Sequence, residues 1–280
     1  MSQQIRANKQ LIITAIGAGS AALTGVILGL IEAFTGFALY SLMFWFIIPM
    51  GAIFAGAGAT SGYYYGAKHF HQKPAGGIVI NMILASISTY LLVHYVPYYL
   101  MEVDGNRVKD AISFWSYLDL SIRHTSLSLR AGSSTGELGS VFGYIYALIQ
   151  LIGFSIGGLA VFGWLLDAPF CDKCEKYPKK TSTQNRYMRE EDALSEKIKT
   201  FVTKLNEKRY VEALRFHADQ MGDPKGTDHH LRTRITMHKC KGCGINHLDF
   251  ETSRWEQKSW KDIDEARTRM WFNPKLDSTS

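Results

Sequence analysis

Residues His238–His247 read HKCKGCGINH. Cys240 and Cys243, two residues apart and followed by a glycine, form the pattern in which one turn of chain presents two thiolates to a single metal ion. The residue after the second cysteine often turns left-handed, a conformation that Gly244 adopts without steric cost. The other two cysteines, Cys171 and Cys174, stand in FCDKCEKY with the same spacing, but Glu175 takes the position that glycine has in the later pair. The full pattern is C-x2-C-x65-C-x2-C. Four cysteines in two such pairs suit a metal site in a reducing compartment better than a disulfide framework. The spacer exceeds that of a compact ribbon, so a folded element is expected inside it.

The spacer supplies one. Across DALSEKIKTFVTKLNEKRYVEALRFHADQM, Leu194, Ile198, Phe201, Val202 and Leu205 fall on one helical face, and Tyr210, Leu214, Ala218 and Met221 continue as a second helix. Asn206–Lys208 make the turn, and Gly222 and Pro224 end the pair, which predicts a helical hairpin over about 191–221. After it, LRTRITMHKC and INHLDFETSRWEQKSW are partly alternating β-branched and aromatic runs on either side of the second cysteine pair. They predict a β-hairpin with CKGCG at its tip.

In CKGCG and its flanking strands, with CDKC as a second arm, the chain resembles the zinc-ribbon fold group, and it departs from that group in spacer length. The resemblance implies a structural zinc ion held by Cys171, Cys174, Cys240 and Cys243. Rubredoxin-like iron uses the same four-thiolate geometry and stands as the alternative. In plan the chain also resembles bacterial multi-pass membrane proteins with a cytosolic CxxC pair. Neither pair is followed by histidine, which excludes c-type haem attachment. His238 and His247 flank the second pair and read as surface residues rather than as substitute ligands.

The first half is a different material. No Asp, Glu, Lys or Arg occurs from Leu11 to Ile31, between Glu32 and Lys68, between Lys73 and Glu102, or between Glu137 and Asp167. A spanning helix needs about 20 mostly apolar residues, so four spans are expected at about 11–34, 39–65, 77–98 and 141–166, with an external loop over 99–138. The first two spans would then form a tight hairpin around Thr35–Ala38. Within the loop, Asp110 is the expected N-cap of an amphipathic helix carrying Ile112, Trp115, Leu118 and Ile122, lying on the membrane or closing over the spans. Basic residues gather at Arg6 and Lys9, at Lys68 and Lys73, and after the last span, whereas the external loop has four basic and five acidic residues. The positive-inside rule therefore places both termini in the cytoplasm, with 1–10 a cytoplasmic N-terminus, 167–274 a cytosolic domain and 275–280 a flexible tail. The membrane is read as the cytoplasmic one.

Gly17, Gly25 and Gly29 recur on the first span, Gly58 and Gly62 on the second, and Gly153 and Gly157 on the fourth. Small residues at helical spacing let backbones approach closely in lipid, either within one chain or in a homo-oligomer. Polar residues inside the spans are modest, among them Glu32, Asn81, Ser86, Ser88, Thr89, His94 and Gln150, with no Asp, Lys or Arg.

Residues 167–280 hold 23 Lys or Arg and 19 Asp or Glu, a surplus of four in a net charge of +6, which argues against nucleic acid as the partner. Lys173, Lys176, Lys179 and Lys180, with Arg186 and Arg189 behind them, lie close after the last span and read as contacts for anionic lipid or a partner, or as a solvated linker. No phosphate-binding loop, metalloprotease motif or nucleophile elbow is present. The expectation is an α-helical membrane domain of four helices with a small cytosolic α+β zinc-ribbon-like domain carrying a helical hairpin. It would serve as a membrane-anchored interaction or regulatory module, without enzymatic activity, engaging lipid and a cytosolic protein. An oligomeric channel or transporter is the alternative, and a membrane enzyme acting on lipid is a third reading.

Overall fold

The structure, a computed structural model, describes residues 2–44, 48–74, 76–103, 105–123, 126–128, 134–137, 140–189, 191–225, 230–263 and 267–273. The chain divides into two compact units, Met1–Ala168 and Pro169–Ser280.

The first unit is helical. Its long helices are α1 (Ser2–Thr35), α2 (Met50–His69), α3 (Gly76–Leu100) and α6 (Ser140–Asp167). Among the described residues three segments are long and apolar enough to cross a membrane: Ala7–Thr35, Gly76–Leu100 and Val141–Asp167. Their outward side chains, among them Leu23, Phe34, Ile80, Leu84, Phe142, Leu148 and Trp164, are exposed. An apolar surface of that size marks a membrane protein, because water would penalise it.

The chain differs from expectation between α1 and α2. Instead of a four-residue hairpin, α1 is followed by Gly36 in the left-handed region, a single 3-10 turn at Leu39–Ser41 and a bridge between Phe44 and Ile48. Helix α2 starts only at Met50, after Pro49. A proline cannot donate a backbone hydrogen bond inside a helix and keeps the residue before it out of the helical region, so IIPMG is where a helix starts rather than continues.

Between α3 and α6 lie β1 (Glu102–Val103), β2 (Asn106–Arg107), α4 (Val108–Ala111), α5 (Phe114–Arg123), β3 (Ser126–Ser128) and β4 (Ser134–Glu137). Asp110 sits inside the short α4, and the cap of α5 is Ser113, whose Oγ accepts the backbone N–H of Ser116 at 3.2 Å. Trp115 points outward, and Phe114 packs against Tyr95 and Tyr98 of α3. Much of the expected flexible return, at 129–133 and 138–139, lies outside the described residues, as does the expected tail at 275–280.

The second unit is a sheet with two helices. Strand β5 (Lys179–Met188) precedes α7 (Glu191–Asn206) and α8 (Tyr210–Gln220), followed by β6 (Leu231–Lys239), β7 (Asn246–Glu256), β8 (Ser259–Asp262) and β9 (Thr268–Phe272). The order is β5-β6-β7-β8, with β9 on the same edge of β7 as β8, and every pairing is antiparallel. Strand β5 was not expected. KKTSTQNRYM has no apolar alternation beyond its last residues, because all of it up to Gln184 is exposed and only Met188 is buried. The run INHLDFETSRWEQKSW was expected to be one strand. It reverses at Gln257 and Lys258, both at positive φ, and continues as β8. Two-residue hairpin turns of this kind favour Asn-Gly, so Gln-Lys carries no warning of one.

The core on one face of the sheet joins Leu194, Phe201 and Leu205 of α7 to Leu231, Ile235, Leu248 and Phe250 of the strands. On α8 the fully buried residues are Ala213 and His217, whereas Ala218, the expected core position, is only half-buried. His217 Nε2 lies 3.2 Å from Thr233 Oγ1, and its Nδ1 has no hydrogen-bond partner among the described residues. Burial, then the nearby Arg186 charge, lowers its pKa from 6.5 to about 4. The unfolded chain therefore binds a proton that the folded chain refuses between about pH 6.5 and 4. Stability is full above that window and falls as pH drops through it, by up to about 1.4 kcal/mol per pH unit. His247, which burial also lowers from 6.5 to about 4, adds to the slope in the same window. Unfolding measured from pH 7 to 4.5 should therefore show both contributions, and His217→Gln should remove one of them. An equal slope in both proteins would refute the assignment to His217.

Candidate metal centre

The four cysteines come together within the second unit. One ligand atom from each of Cys171, Cys174, Cys240 and Cys243 lies within 4.8 Å of all the others. All four are free thiols. Cys171 and Cys240 are buried, and Cys174 and Cys243 are half-buried.

Both pairs are built alike. In the first, Cys171 N–H donates to Lys176 C=O at 2.9 Å, and Cys174 N–H turns back to Cys171 C=O at 3.3 Å. In the second, Cys240 N–H donates to Ile245 C=O at 2.9 Å, and Gly244 N–H to Cys240 C=O at 2.9 Å. Each loop thus closes from its first cysteine to the residue five positions on. The second loop is the tip of the β6–β7 hairpin, whose last pair is Lys239 with Asn246. The first loop leads into β5, which runs beside β6 with Lys179 opposite Lys239. The sheet register therefore carries one pair to the other across the long spacer.

Gly244 is left-handed at φ 74°, as expected of it. Glu175 is left-handed too, at φ 48°. That conformation costs an ordinary residue about 1 kcal/mol relative to glycine. Glu175→Gly is therefore expected to raise stability by up to about 1 kcal/mol, read as a higher unfolding midpoint with unchanged metal content; a lower midpoint would mean that the carboxylate has a structural role. Gly242 matters for a different reason. A Cβ there would lie 2.7 Å from Cys174 Sγ, so any side chain would push into the sulfur cluster.

The donor set fits a tetrahedral ion. With metal–sulfur bonds of about 2.3 Å, the edges of a four-thiolate tetrahedron are about 3.8 Å. Cys171 Sγ and Cys243 Sγ are 3.6 Å apart, and no sulfur pair exceeds 4.8 Å. The thiols also resist joint ionisation. The Cys174 thiol is pushed up to about 12, first by its hydrogen bond with Cys243 and then by burial. At Cys240 burial raises the pKa, but the backbone N–H groups of Cys243 and Gly242 outweigh it and bring it down to about 7. One thiolate forms readily, and a full set needs a cation in its centre. The four cysteines are thus positioned to hold a metal ion and are compatible with zinc.

Other expected positions are distributed as follows. Neither histidine flanking the second loop belongs to the sulfur cluster. His247 is no surface residue: it is buried, with its ring 4.8 Å from that of Trp271. Lys173, Lys176, Lys179 and Lys180 are all exposed. Arg186 is half-buried and donates to the Ala218 carbonyl at 2.8 Å, so it serves the fold rather than a surface contact.

In the first unit the glycines face helices of the same chain. A Cβ on Gly17 would meet the Tyr63 ring, on Gly25 Leu92, on Gly29 Val96, and on Gly62 the Ile16 carbonyl and Ser20. On Gly153 it would meet Pro49 and Ala52, and on Gly157 the Ile53 carbonyl at 2.0 Å. Gly58 makes only ordinary contact with Thr24. Gly56, which no spacing had singled out, is as tightly placed, its Cβ position 2.0 Å from the Phe154 carbonyl.

A second polar group lies among these helices. Tyr40 Oη donates to both carboxylate oxygens of Glu32, at 3.1 and 3.2 Å, and its ring meets His94 at 5.4 Å. Tyr90 Oη and His94 Nε2 are buried without a hydrogen-bond partner among the described residues. Three other polar side chains of α3 are satisfied nearby: Ser86 on Met82 C=O, Thr89 on Ala85 and Ala21 C=O, and Asn81 on Thr14 Oγ1.

Comparison of the chain with protein families, with curated proteins and with solved structures finds no match.

Proposed function

We propose that the protein is a membrane-anchored interaction module, held in the cytoplasmic membrane by four spans with both termini in the cytoplasm. In this reading the second unit is a zinc ribbon into which the helical hairpin α7–α8 is inserted, and zinc makes it a rigid platform for a cytosolic protein partner. One observation carries the proposal: two cysteine pairs distant in sequence form a closed set of four sulfurs. Catalytic zinc keeps an open coordination position, so a closed set of thiolates supports a structural role. Thiolates of this kind persist in a reducing compartment, which supports a cytoplasmic second unit, as does the placement of the basic clusters.

The fourth span in this reading is α2. It is rich in Ala, Gly and Tyr, and Ala52, Ala55, Gly56, Ala59 and Gly62 are buried, with Gly56 against Phe154 of α6 and Gly62 against Ile16 of α1. A helix surrounded by protein in this way can cross a bilayer with less apolar surface than its neighbours, because lipid touches little of it. Elemental analysis of the purified full chain tests the metal. About one zinc per chain is expected. Iron would redirect the protein to redox chemistry, and a metal-free folded protein would refute the proposal.

A transport reading has one observation in its favour, the Glu32–Tyr40–Tyr90–His94 group with its two unpartnered polar atoms. Ionisable residues inside a membrane commonly mark ion or proton paths. Flux in proteoliposomes that Glu32→Gln abolishes would establish it, and liposomes as tight as empty ones would eliminate it.

A further inference from the structure

The cysteine end of the second unit carries more positive charge than any one stretch of sequence reveals. Lys173 and Lys176 belong to the first loop, Lys179 opens β5, with Lys180 next to it, Lys239 closes β6, and Lys241 lies between the later cysteines. All six are exposed, and none forms an ion pair among the described residues. Farther along the sheet and on the helices several charges are paired, as in Lys261 with Glu256, Arg267 with Glu251 and Lys204 with Glu212. Lys179 and Lys239 stand directly opposite each other across the β5–β6 ladder. Like charges in that relation are destabilising unless something neutralises them. Asp172 and Glu175 supply two carboxylates in the first loop, and four thiolates around a dication supply two more negative charges. Six ammonium groups exceed these four.

We infer that this lysine cluster binds the anionic lipid headgroups of the membrane in which the chain is anchored. The inference rests on the membrane-anchored reading above and names a partner for it. Cys171 follows Asp167, the last residue of α6, by four residues, a reach of about 14 Å at full extension. Trp164, three residues before the end of α6, is an exposed aromatic of the kind that sits at the headgroup level. A basic cluster so short a tether from a bilayer lies within range of its surface potential, which decays over about 10 Å. The two cysteine loops hold Lys173, Lys176 and Lys241, and the β5–β6 register sets Lys179 opposite Lys239, so the loops and the ladder together assemble the binding surface.

The test uses the full chain in nanodiscs of phosphatidylcholine alone or mixed with phosphatidylglycerol. Each lysine is acetylated under limiting conditions and quantified by mass spectrometry, and metal content is measured on the same samples. In the anionic discs Lys173, Lys176, Lys179, Lys180, Lys239 and Lys241 should react at least about threefold more slowly. Lys197, Lys199 and Lys258, which lie on α7 and at the β7–β8 turn, should react equally in both. High salt should erase the difference. The double variant Lys179→Gln with Lys239→Gln should lose protection at the remaining four lysines while retaining its metal. Equal rates in the two disc types would overturn the inference. So would equal protection in both, which would point to a protein neighbour or a second copy. Metal loss in the double variant would overturn it as well, since the lysines would then serve the thiolates. Protein free of metal in every sample would instead mark failure of the structural-zinc reading.

Discussion

Cys240→Ser is expected to abolish metal binding and to unfold much of the second unit at physiological temperature. Cys240 is fully buried at the base of the β6–β7 tip, and backbone N–H groups bring its thiol down to about 7. A hydroxyl in its place is a poor ligand and leaves three thiols crowded within 4.8 Å with no cation to hold them. For small zinc domains the apparent binding free energy is about 10 kcal/mol or more, and it is available to folding only when the ligand set is complete. Metal content should fall from about one ion per chain to none. Proteolysis should then cut within 170–180 and 239–246 at rates far above wild type. Cys174→Ser should give the same phenotype, since the two loops share one ion. Retention of metal in either variant would mean that each loop binds alone, and the tie between β5 and the β6–β7 hairpin would need another explanation.

Phe201→Ala is the second. The ring is fully buried on α7, with its centroid 4.7 Å from that of Phe250 on β7 and 6.0 Å from His217 on α8. It joins both helices to the sheet, and truncation leaves a cavity whose walls belong to three elements that cannot all collapse into it. Such truncations cost about 3 to 5 kcal/mol. A chemical denaturation midpoint measured on the full chain should fall accordingly, while metal content at low denaturant stays unchanged, because the cysteine loops do not touch this core. A loss below about 1 kcal/mol would show that the helices contribute little to the stability of the sheet.

Much of the site was legible in the sequence because its signal is local. A CxxC followed by glycine is a complete chelating turn within five residues, and CKGCG reads directly as one. Glu175 in the matching position of the first loop read as a poor fit, yet it adopts the same left-handed turn. Three of the expected spans correspond to helices long and apolar enough to cross a membrane, because a bilayer imposes length and apolarity on each segment separately. The tight α1–α2 hairpin was misread because the uncharged run was taken whole, and Pro49 within it was given no weight. His217 escaped notice because a histidine reads as polar, although on α8 it occupies a fully buried position.

The sequence by itself determined where the apolar segments lie, that two cysteine pairs are shaped to chelate, and that the spacer between them is amphipathic. These follow from periodicity and from turns of a few residues. Only the tertiary structure decided that KKTSTQNRYM is a strand. Almost nothing in that segment is buried, and its pairing with β6 is made by backbone hydrogen bonds that leave no trace in side-chain pattern. The same register brings Cys171 to Cys243 across 72 residues and sets Lys179 against Lys239. Which residues meet across a sheet depends on long-range register, and a local pattern holds no information about it.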